Sequence, residues 1–300
     1  MTPGAPDLTR RRFLGACAAA GALPFACPVA AAASSGEPAS GNGVLVDLTR
    51  CIGCRNCENA CLLRWGRPGL APTSAGYAPG EGRLSFTSRT FVDTREVTSA
   101  SGTTRKVTVK RQCMHCVDPA CVSVCPVAAL KKTPSGAVVY DEDRCMGCRY
   151  CLFACPFGVP RYDWGSGLAP AVGKCDFCEE RVSKGLKPAC VAACPTGALR
   201  FGKREDLLHD ARLRVGGPGG AAHLLGDGEV GGTAWMYLSD APAEELGFPA
   251  DLPDHAMPTL TWKALQKVPV VIVVLGLFLA GVRRAVAKRR ANPAAEASHG

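Results

Sequence analysis

The sequence predicts an α+β fold in which a small cysteine-rich unit occurs twice. A β-hairpin insertion interrupts it, and an irregular arm and one C-terminal transmembrane helix follow. Three observations predict this. Sixteen of the 18 cysteines fall into four groups of four, two segments repeat internally, and one nearly continuous apolar run stands close to the C-terminus.

The densest stretch is Cys113 to Pro156. It reads C-M-H-C-V-D-P-A-C-V-S-V-C-P and then, with nineteen residues between Cys125 and Cys145, C-M-G-C-R-Y-C-L-F-A-C-P. Thiolates as close as Cys145, Cys148 and Cys151 can cap three corners of one iron–sulfur cube, while Cys155, followed by Pro156, is sent to a neighbouring cube. This is the C-x2-C-x2-C-x3-C-P run of bacterial two-cluster ferredoxins. The full groups are Cys51, Cys54, Cys57 and Cys61; Cys113, Cys116, Cys121 and Cys125; Cys145, Cys148, Cys151 and Cys155; and Cys175, Cys178, Cys190 and Cys194. None of these sixteen is left over, so they are the expected ligands of four [4Fe–4S] clusters.

Two other uses of cysteine are weighed against this one. Zinc draws its tetrahedral ligands as separated C-x2-C pairs, and a compact triplet aims one thiolate badly. Eleven residues separate Cys178 from Cys190, which makes zinc tempting for the fourth group alone. A disulfide framework suits a small secreted domain short of core, whereas this chain has 300 residues and is 47% hydrophobic.

The repeats make the unit a duplicated one. V-D-L-T-R-C-I-G-C-R-N-C (Val46 to Cys57) aligns with Y-D-E-D-R-C-M-G-C-R-Y-C (Tyr140 to Cys151), and C-P-V-A-A-L (Cys125 to Leu130) with C-P-T-G-A-L (Cys194 to Leu199). The expected fold is therefore a duplicated bacterial two-[4Fe–4S] ferredoxin-like domain. Gly53 and Gly147 suit a backbone that turns its N–H groups towards cluster sulfurs, or are ordinary loop glycines. His115, between two cysteines, either donates a hydrogen bond to a cluster or is held there by spacing alone. Arg149 and Lys174 stand beside ligands, either as charges near a cluster or as solvated surface residues.

In chain order, residues 1–33 read as a twin-arginine signal peptide. Thr9-Arg10-Arg11-Arg12-Phe13-Leu14 carries the arginines, an Ala-rich stretch follows, and Cys17 and Cys27 fall within it. Residues 34–43 are a Ser/Gly/Pro linker, and 44–205 the four-cluster domain. Its insertion, 62–112, holds a Gly/Pro-rich loop and an expected hairpin of Arg83 to Val97 with Thr103 to Lys110, read as scaffold rather than site. A smaller hairpin pairs Lys131-Lys132 with Ala137 to Tyr140. Residues 206–261 form the irregular arm, apart from a helix over Glu205 to Leu213.

The apolar run V-P-V-V-I-V-V-L-G-L-F-L-A-G-V (Val268 to Val282), extended upstream by Trp262, predicts a transmembrane helix over 262–283. Arg283, Arg284, Lys288, Arg289 and Arg290 follow. The positive-inside rule keeps the tail, 284–300, in the cytoplasm and so places the cluster domain in the periplasm. Net charge is +9, but 283–300 hold +4 of it. Each oxidised cluster with its thiolates adds about −2, so the loaded body is acidic on balance. Nothing here suits nucleic acid. No nucleotide-binding Gly loop, nucleophile elbow or His-rich metal motif occurs, so no catalytic residue is expected.

The four-group pattern resembles the four-cluster electron-transfer subunits of molybdopterin oxidoreductases and membrane hydrogenases. The run Q-C-M-H-C-V-D-P-A-C-V-S-V-C-P-V-A-A-L-K-K (Gln112 to Lys132), with the leader and C-terminal anchor, is similar to HybA-type subunits of hydrogenase-2. Spacing alone leaves the pairing of groups open, because nineteen residues also separate Cys155 from Cys175. The resemblance implies one cluster on Cys51, Cys54, Cys57 and Cys194, and a second on Cys61, Cys175, Cys178 and Cys190. A third falls on Cys113, Cys116, Cys121 and Cys155, and a fourth on Cys125, Cys145, Cys148 and Cys151. It further implies a relay between the small and large subunits of a [NiFe]-hydrogenase and a multi-span quinone-reactive membrane subunit. A formate dehydrogenase or other molybdopterin catalytic subunit is the alternative partner.

Overall fold

The computed structural model describes residues 41–65, 83–98, 104–165, 171–217 and 221–291; the expected leader and the last nine residues lie outside them. The first elements are β1 (Asn42–Asp47), α1 (Asn56–Trp65), β2 (Phe91–Thr98) and β3 (Thr104–Arg111). Then come α2 (Ala120–Ser123), β4 (Leu130–Lys132), β5 (Val138–Tyr140), α3 (Tyr150–Ala154), β6 (Arg161–Tyr162) and β7 (Val172–Gly173). The C-terminal half adds α4 (Glu179–Ser183), α5 (Ala189–Ala192), β8 (Leu199–Lys203), α6 (Arg204–Arg214), β9 (His223–Leu225), β10 (Trp235–Ser239), α7 (Met257–Leu265) and α8 (Val268–Ala291).

One sheet, ordered β8-β1-β10-β9, carries the body. β1 pairs antiparallel with β8, Val44 opposite Phe201, and parallel with β10, Val44 opposite Trp235. Its residues Val44, Leu45 and Val46 are all buried, as in a strand covered on both faces. Alternation then sorts the faces. Leu45, Met236 and Leu238 pack against Leu207, Leu208 and Ala211 of α6. Val44, Val46, Trp235 and Tyr237 face the other way, into the core that includes Cys57, Cys190 and Cys194. Fully burying each Val or Leu contributes about 1.5–3 kcal/mol. α6 has Glu205 and Asp206 in its first turn and Arg212 and Arg214 in its last, matching the helix dipole.

The insertion forms the antiparallel pair β2–β3, from Phe91 opposite Arg111 to Thr98 opposite Thr104. Strand structure begins at Phe91, because Ser85 to Ser88 is a turn closed by the Ser88 N–H donating to Ser85 Oγ at 2.9 Å. The end of β3 is tied to the sheet: Tyr237 Oη donates to the Lys110 carbonyl at 2.6 Å, and Gln112 Nε2 donates to Tyr237 Oη at 2.7 Å. β4 and β5 pair antiparallel, Leu130 opposite Tyr140.

The expected irregular arm is corrected. Residues 206–261 contain β9 and β10, and every residue of β10 is buried. The apolar run W-M-Y-L shows no alternation because the strand is covered on both faces, and the surrounding Gly and Pro residues obscure its ends. α8 also runs on through Arg283 and Arg284 to Ala291, since arginine continues a helix readily. The span Met257–Lys288 is the one candidate among the described residues long and apolar enough to cross a membrane, and none of its apolar window is buried against protein.

Gly173 locks β7 against the segment before β2. A Cβ there would lie 2.5 Å from the Phe86 Cα and closer still to its carbonyl oxygen. Backbone cannot rotate away, so Gly173→Ala should destabilise by about 1–3 kcal/mol or more. Gly228 has φ −116°, and a Cβ added to it would meet nothing within 4 Å, so Gly228→Ala serves as the control. Thermal melts of the two variants against wild type should show a lowered midpoint for the first alone.

Candidate metal centres

The cysteine loops are built from left-handed turns. At the end of β1, Asp47 Oδ1 accepts from the Thr49 N–H at 3.1 Å and its hydroxyl at 2.6 Å, closing the turn into Cys51. Beyond it, φ is +70° at Gly53 and +60° at Arg55; in the other triplet it is +74° at Gly147 and +62° at Arg149. A Cβ on Gly53 would stand 2.8 Å from Thr108 Oγ1 of β3, so both conformation and space ask for glycine there. In the two remaining C-x-x-C loops the residue before the second cysteine is left-handed, His115 at +49° and Phe177 at +63°. Such turns gather backbone N–H groups on one side. Ala129 N–H donates to Cys125 Sγ at 3.2 Å and Phe177 N–H to Cys175 Sγ at 3.4 Å.

The fold gathers the sixteen thiols, all free, into four sets. Cys51 lies in the electrostatic field of Cys54 and Cys194, and Cys57 in that of Cys51. Cys61 neighbours Cys178 and Cys190, and Cys175 neighbours Cys61. Cys116 faces Cys113, Cys121 and Cys155. Cys151 faces Cys125, Cys145 and Cys148. The fields also pass from one set to the next. Cys57 feels Cys190, Cys175 feels Cys113, and Cys121 feels Cys151. They therefore stand in a row. Cys54 at one end and Cys148 at the other are exposed, whereas Cys113, Cys121, Cys175, Cys178 and Cys190 in the two middle sets are buried.

Burial foremost, with repulsion from neighbouring thiolates, pushes Cys57 and Cys151 up to about 11 and Cys61 and Cys121 up to about 12. Cys194 moves down: burial raises it, but the N–H groups of Leu199, Ala198 and Thr196 and the Thr196 hydroxyl more than offset that. Metal binding to such a site must expel protons, and the metal's charge replaces them.

Three lysines lie among the thiols. Lys110 is 4% exposed; burial disfavours its charge, but the fields of Cys190, Cys57 and Cys175 more than offset this and raise its pKa. Lys174 is buried, whereas Arg149 is exposed and lies over the rings of Tyr162 and Trp164 at 4.4 and 4.3 Å. Burial draws Lys132 down to about 8, against the fields of Cys116 and Cys113. His115 is fully buried, and burial, with Lys174, Lys132 and Lys110, holds it well below its ordinary pKa. Its Nδ1 accepts from the Val138 N–H at 2.8 Å, which puts the proton on Nε2.

The donor set fits [4Fe–4S] clusters. Cys51, Cys54, Cys57 and Cys194 line one partly open cavity. Among the described residues no three His, Cys, Asp or Glu side chains converge closely enough to hold a single ion. Thiols gathered within one another's fields suit the all-cysteine ligation of iron–sulfur cores. Among the described residues His115 Nε2 has no acceptor. A buried donor left alone costs about 1–3 kcal/mol, and cluster sulfide is an acceptor of the kind it lacks. The sequence reading missed Lys110. A lysine in a strand of the insertion reads as solvated, and only the docking of β3 on β10 brings it to the thiols.

A 4Fe-4S dicluster domain matches residues 105–204. The chain is 40% identical over 302 residues to a protein of Nitratidesulfovibrio vulgaris, covering 96% of this chain and 80% of that one. It is 37% identical over 279 residues to the hydrogenase-2 operon protein HybA of Escherichia coli O157:H7, covering 81% and 84%. It is 34% identical over 248 residues to the formate dehydrogenase iron-sulfur subunit of Haemophilus influenzae, covering 79% and 78%.

Exposure and pKa set the order in which the thiols react once metal is removed. Cys54 and Cys148 are exposed, while burial holds Cys175 well above the ordinary thiol pKa. Each unit of pKa is a tenfold change in thiolate. A bulky maleimide at pH 8 should label Cys54 and Cys148 at least about tenfold faster than Cys175, as read by peptide mass spectrometry.

Proposed function

The chain belongs to the family of iron–sulfur electron-transfer subunits represented by HybA and the formate dehydrogenase iron-sulfur subunits, and from that premise we propose that it is the periplasmic relay between a [NiFe]-hydrogenase and a quinone-reactive integral membrane subunit. It is an electron-transfer subunit rather than a catalytic one. The observation that carries the reading is the row of four thiol sets, exposed at both ends.

In this reading Cys51, Cys54, Cys57 and Cys194 hold the cluster at one end. Cys61, Cys175, Cys178 and Cys190, then Cys113, Cys116, Cys121 and Cys155, hold the two inner ones. Cys125, Cys145, Cys148 and Cys151 hold the cluster at the other end. Each [4Fe–4S] cluster supplies a one-electron carrier. The chain's own residues set spacing, exclude water and supply N–H donors to the sulfurs. The matching left-handed turns of the two triplets support a duplicated unit. Exposed Ile52 beside Cys54, and exposed Met146, Tyr150 and Phe153 around Cys148, support a protein partner at each end.

The domain plan follows the same reading: a twin-arginine leader over 1–33, a linker over 34–43, the four-cluster domain over 44–205 with its insertion at 62–112, and a span within 262–283. α8 alone is about 36 Å long at 1.5 Å per residue, enough for a bilayer core of about 30 Å. Arg283, Arg284 and Lys288 at its end favour the cytoplasmic side, which leaves the thiol sets outside. A formate dehydrogenase or other molybdopterin enzyme is the second reading, favoured by the similarity to formate dehydrogenase subunits. The identity of co-purifying subunits separates the two.

Anaerobically purified protein should contain about sixteen iron atoms per chain, four to each of four cubes. Stoichiometric zinc, or iron near half that value, sinks the four-cluster reading. Cys145→Ser should damage an end cluster without touching the catalytic partner's metal centre. Hydrogen oxidation with a dye that accepts directly at the catalytic subunit should survive, while quinone reduction should be lost. An assembled variant that reduces quinone at the wild-type rate contradicts the relay.

A further inference from the structure

Lys110, Lys132 and Lys174 are buried or half-buried cations with neutral partners. Lys110 Nζ donates to Thr90 Oγ1 and Gln112 Oε1, both at 2.8 Å, and lies 4.6 Å from the centre of the Trp235 ring. Lys132 Nζ donates to the carbonyls of His115 at 3.1 Å, Cys116 at 2.7 Å and Gly136 at 2.8 Å. Lys174 Nζ donates to the carbonyl of Cys175 at 2.9 Å and to that of Val138. Ion pairs among the described residues form elsewhere, such as Arg55 with Glu58 and Arg200 with Asp210; none joins a carboxylate to these three ammonium groups. An ammonium taken out of water without a counter-ion is penalised by several kcal/mol. Three such groups in one small domain call for an anion that no carboxylate among the described residues supplies.

The acidic groups they face are thiols, with the Tyr237 hydroxyl also near Lys110. Lys110 faces Cys190, Cys57 and Cys175; Lys132 faces Cys116 and Cys113; Lys174 faces Cys121. All but Cys57 belong to the two inner sets of the row. The end sets have cations of another kind nearby: Arg55 is paired with Glu58, and exposed Arg149 lies on aromatic rings. This placement opposes a specific penalty. A four-thiolate cube carries about −2 when oxidised and about −3 when reduced, so burial disfavours its reduction. The most buried cysteines are the inner ones. Without nearby positive charge the middle of the row would resist the electron more than either end.

Resting on the four-cluster reading above, we propose that Lys110, Lys132 and Lys174 are the internal counter-charges of the two inner clusters and hold their reduction potentials up against burial. Lys110 acts on the cluster of Cys61, Cys175, Cys178 and Cys190. Lys132 and Lys174 act on that of Cys113, Cys116, Cys121 and Cys155. They are tuning residues: none is a ligand, and each acts through its charge.

The test is an anaerobic dithionite titration of the full-length chain in its complex, followed by low-temperature EPR, with iron counted in every sample. Lys110→Met should make one cluster harder to reduce by at least about tenfold in its equilibrium constant, about 59 mV for one electron. Lys132→Met should do the same to a different cluster. Lys110→Arg keeps the charge and should stay near wild type, as should Lys203→Met at an exposed site. A methionine variant that fails to load iron is replaced by Lys→Gln and read by the same criterion. Neutral variants with full iron and unchanged potentials overturn the proposal while leaving the four-cluster reading standing. So does an arginine variant shifted as far as the methionine one. Wild-type protein with fewer than four clusters overturns the parent reading instead, whatever the variants do.

Discussion

The pairing of β1 with β8 is the contact on which the rest of this molecule depends. Val46 stands opposite Leu199, so the chain leaving β1 towards Cys51 lies beside the chain arriving at β8 from Cys194. Arg50 reinforces the junction by donating to the Thr196 carbonyl at 2.9 Å. One antiparallel register thus joins the first cysteine group to the last. With those ends fixed, α1 packs beside α5 and Cys61 comes to Cys190. The second and third groups meet through their own short helices, α2 and α3. A one-residue slip would turn Val44 and Val46 away from the core and Leu45 into it. The alternation of apolar contacts on the two faces of β1 therefore also sets the thiol geometry.

Electrostatics impose the second constraint. A small domain that collects sixteen thiols raises the pKa of most of them, because burial and mutual repulsion both disfavour the thiolate. The same interior admits three ammonium groups held by neutral acceptors. Each feature is unfavourable alone, and together they describe an interior built around negatively charged inorganic groups. The left-handed non-glycine residues at the cysteine loops, Arg55, His115, Arg149 and Phe177, add backbone strain of about 1–3 kcal/mol each, and they cluster where the N–H groups are needed.

The insertion and the arm, which lack cysteines, do more than cover the body. β3 delivers Lys110, and β10 receives it through Tyr237 and Trp235. Beyond the sheet, α8 leaves the body with its apolar side chains exposed, uncovered by any of the described residues. The cysteine row and the apolar helix thus divide the described residues into a part that packs on itself and a part that does not.

Much of this was legible in the sequence because cysteine spacing and apolar runs are local. C-x-x-C triplets, the trailing C-P pairs, the strand at Val44 to Val46 and the helix beginning at Val268 each declare themselves within a few residues, and residues 44–205 hold all four groups. Pairing was not legible, because nineteen residues on each side of the third group give spacing no preference. β10 was hidden because a strand buried on both faces loses its alternation. The surroundings of Lys110, Lys132 and Lys174 were hidden because nothing local separates a lysine that will be buried from one that will be solvated. Their positions depend on strands that meet only after the long-range register of β1, β8 and β10 has formed. Local chemistry was thus written in the order of residues, while the neighbours of each charge were decided by tertiary packing, since fields act through space and not along the chain.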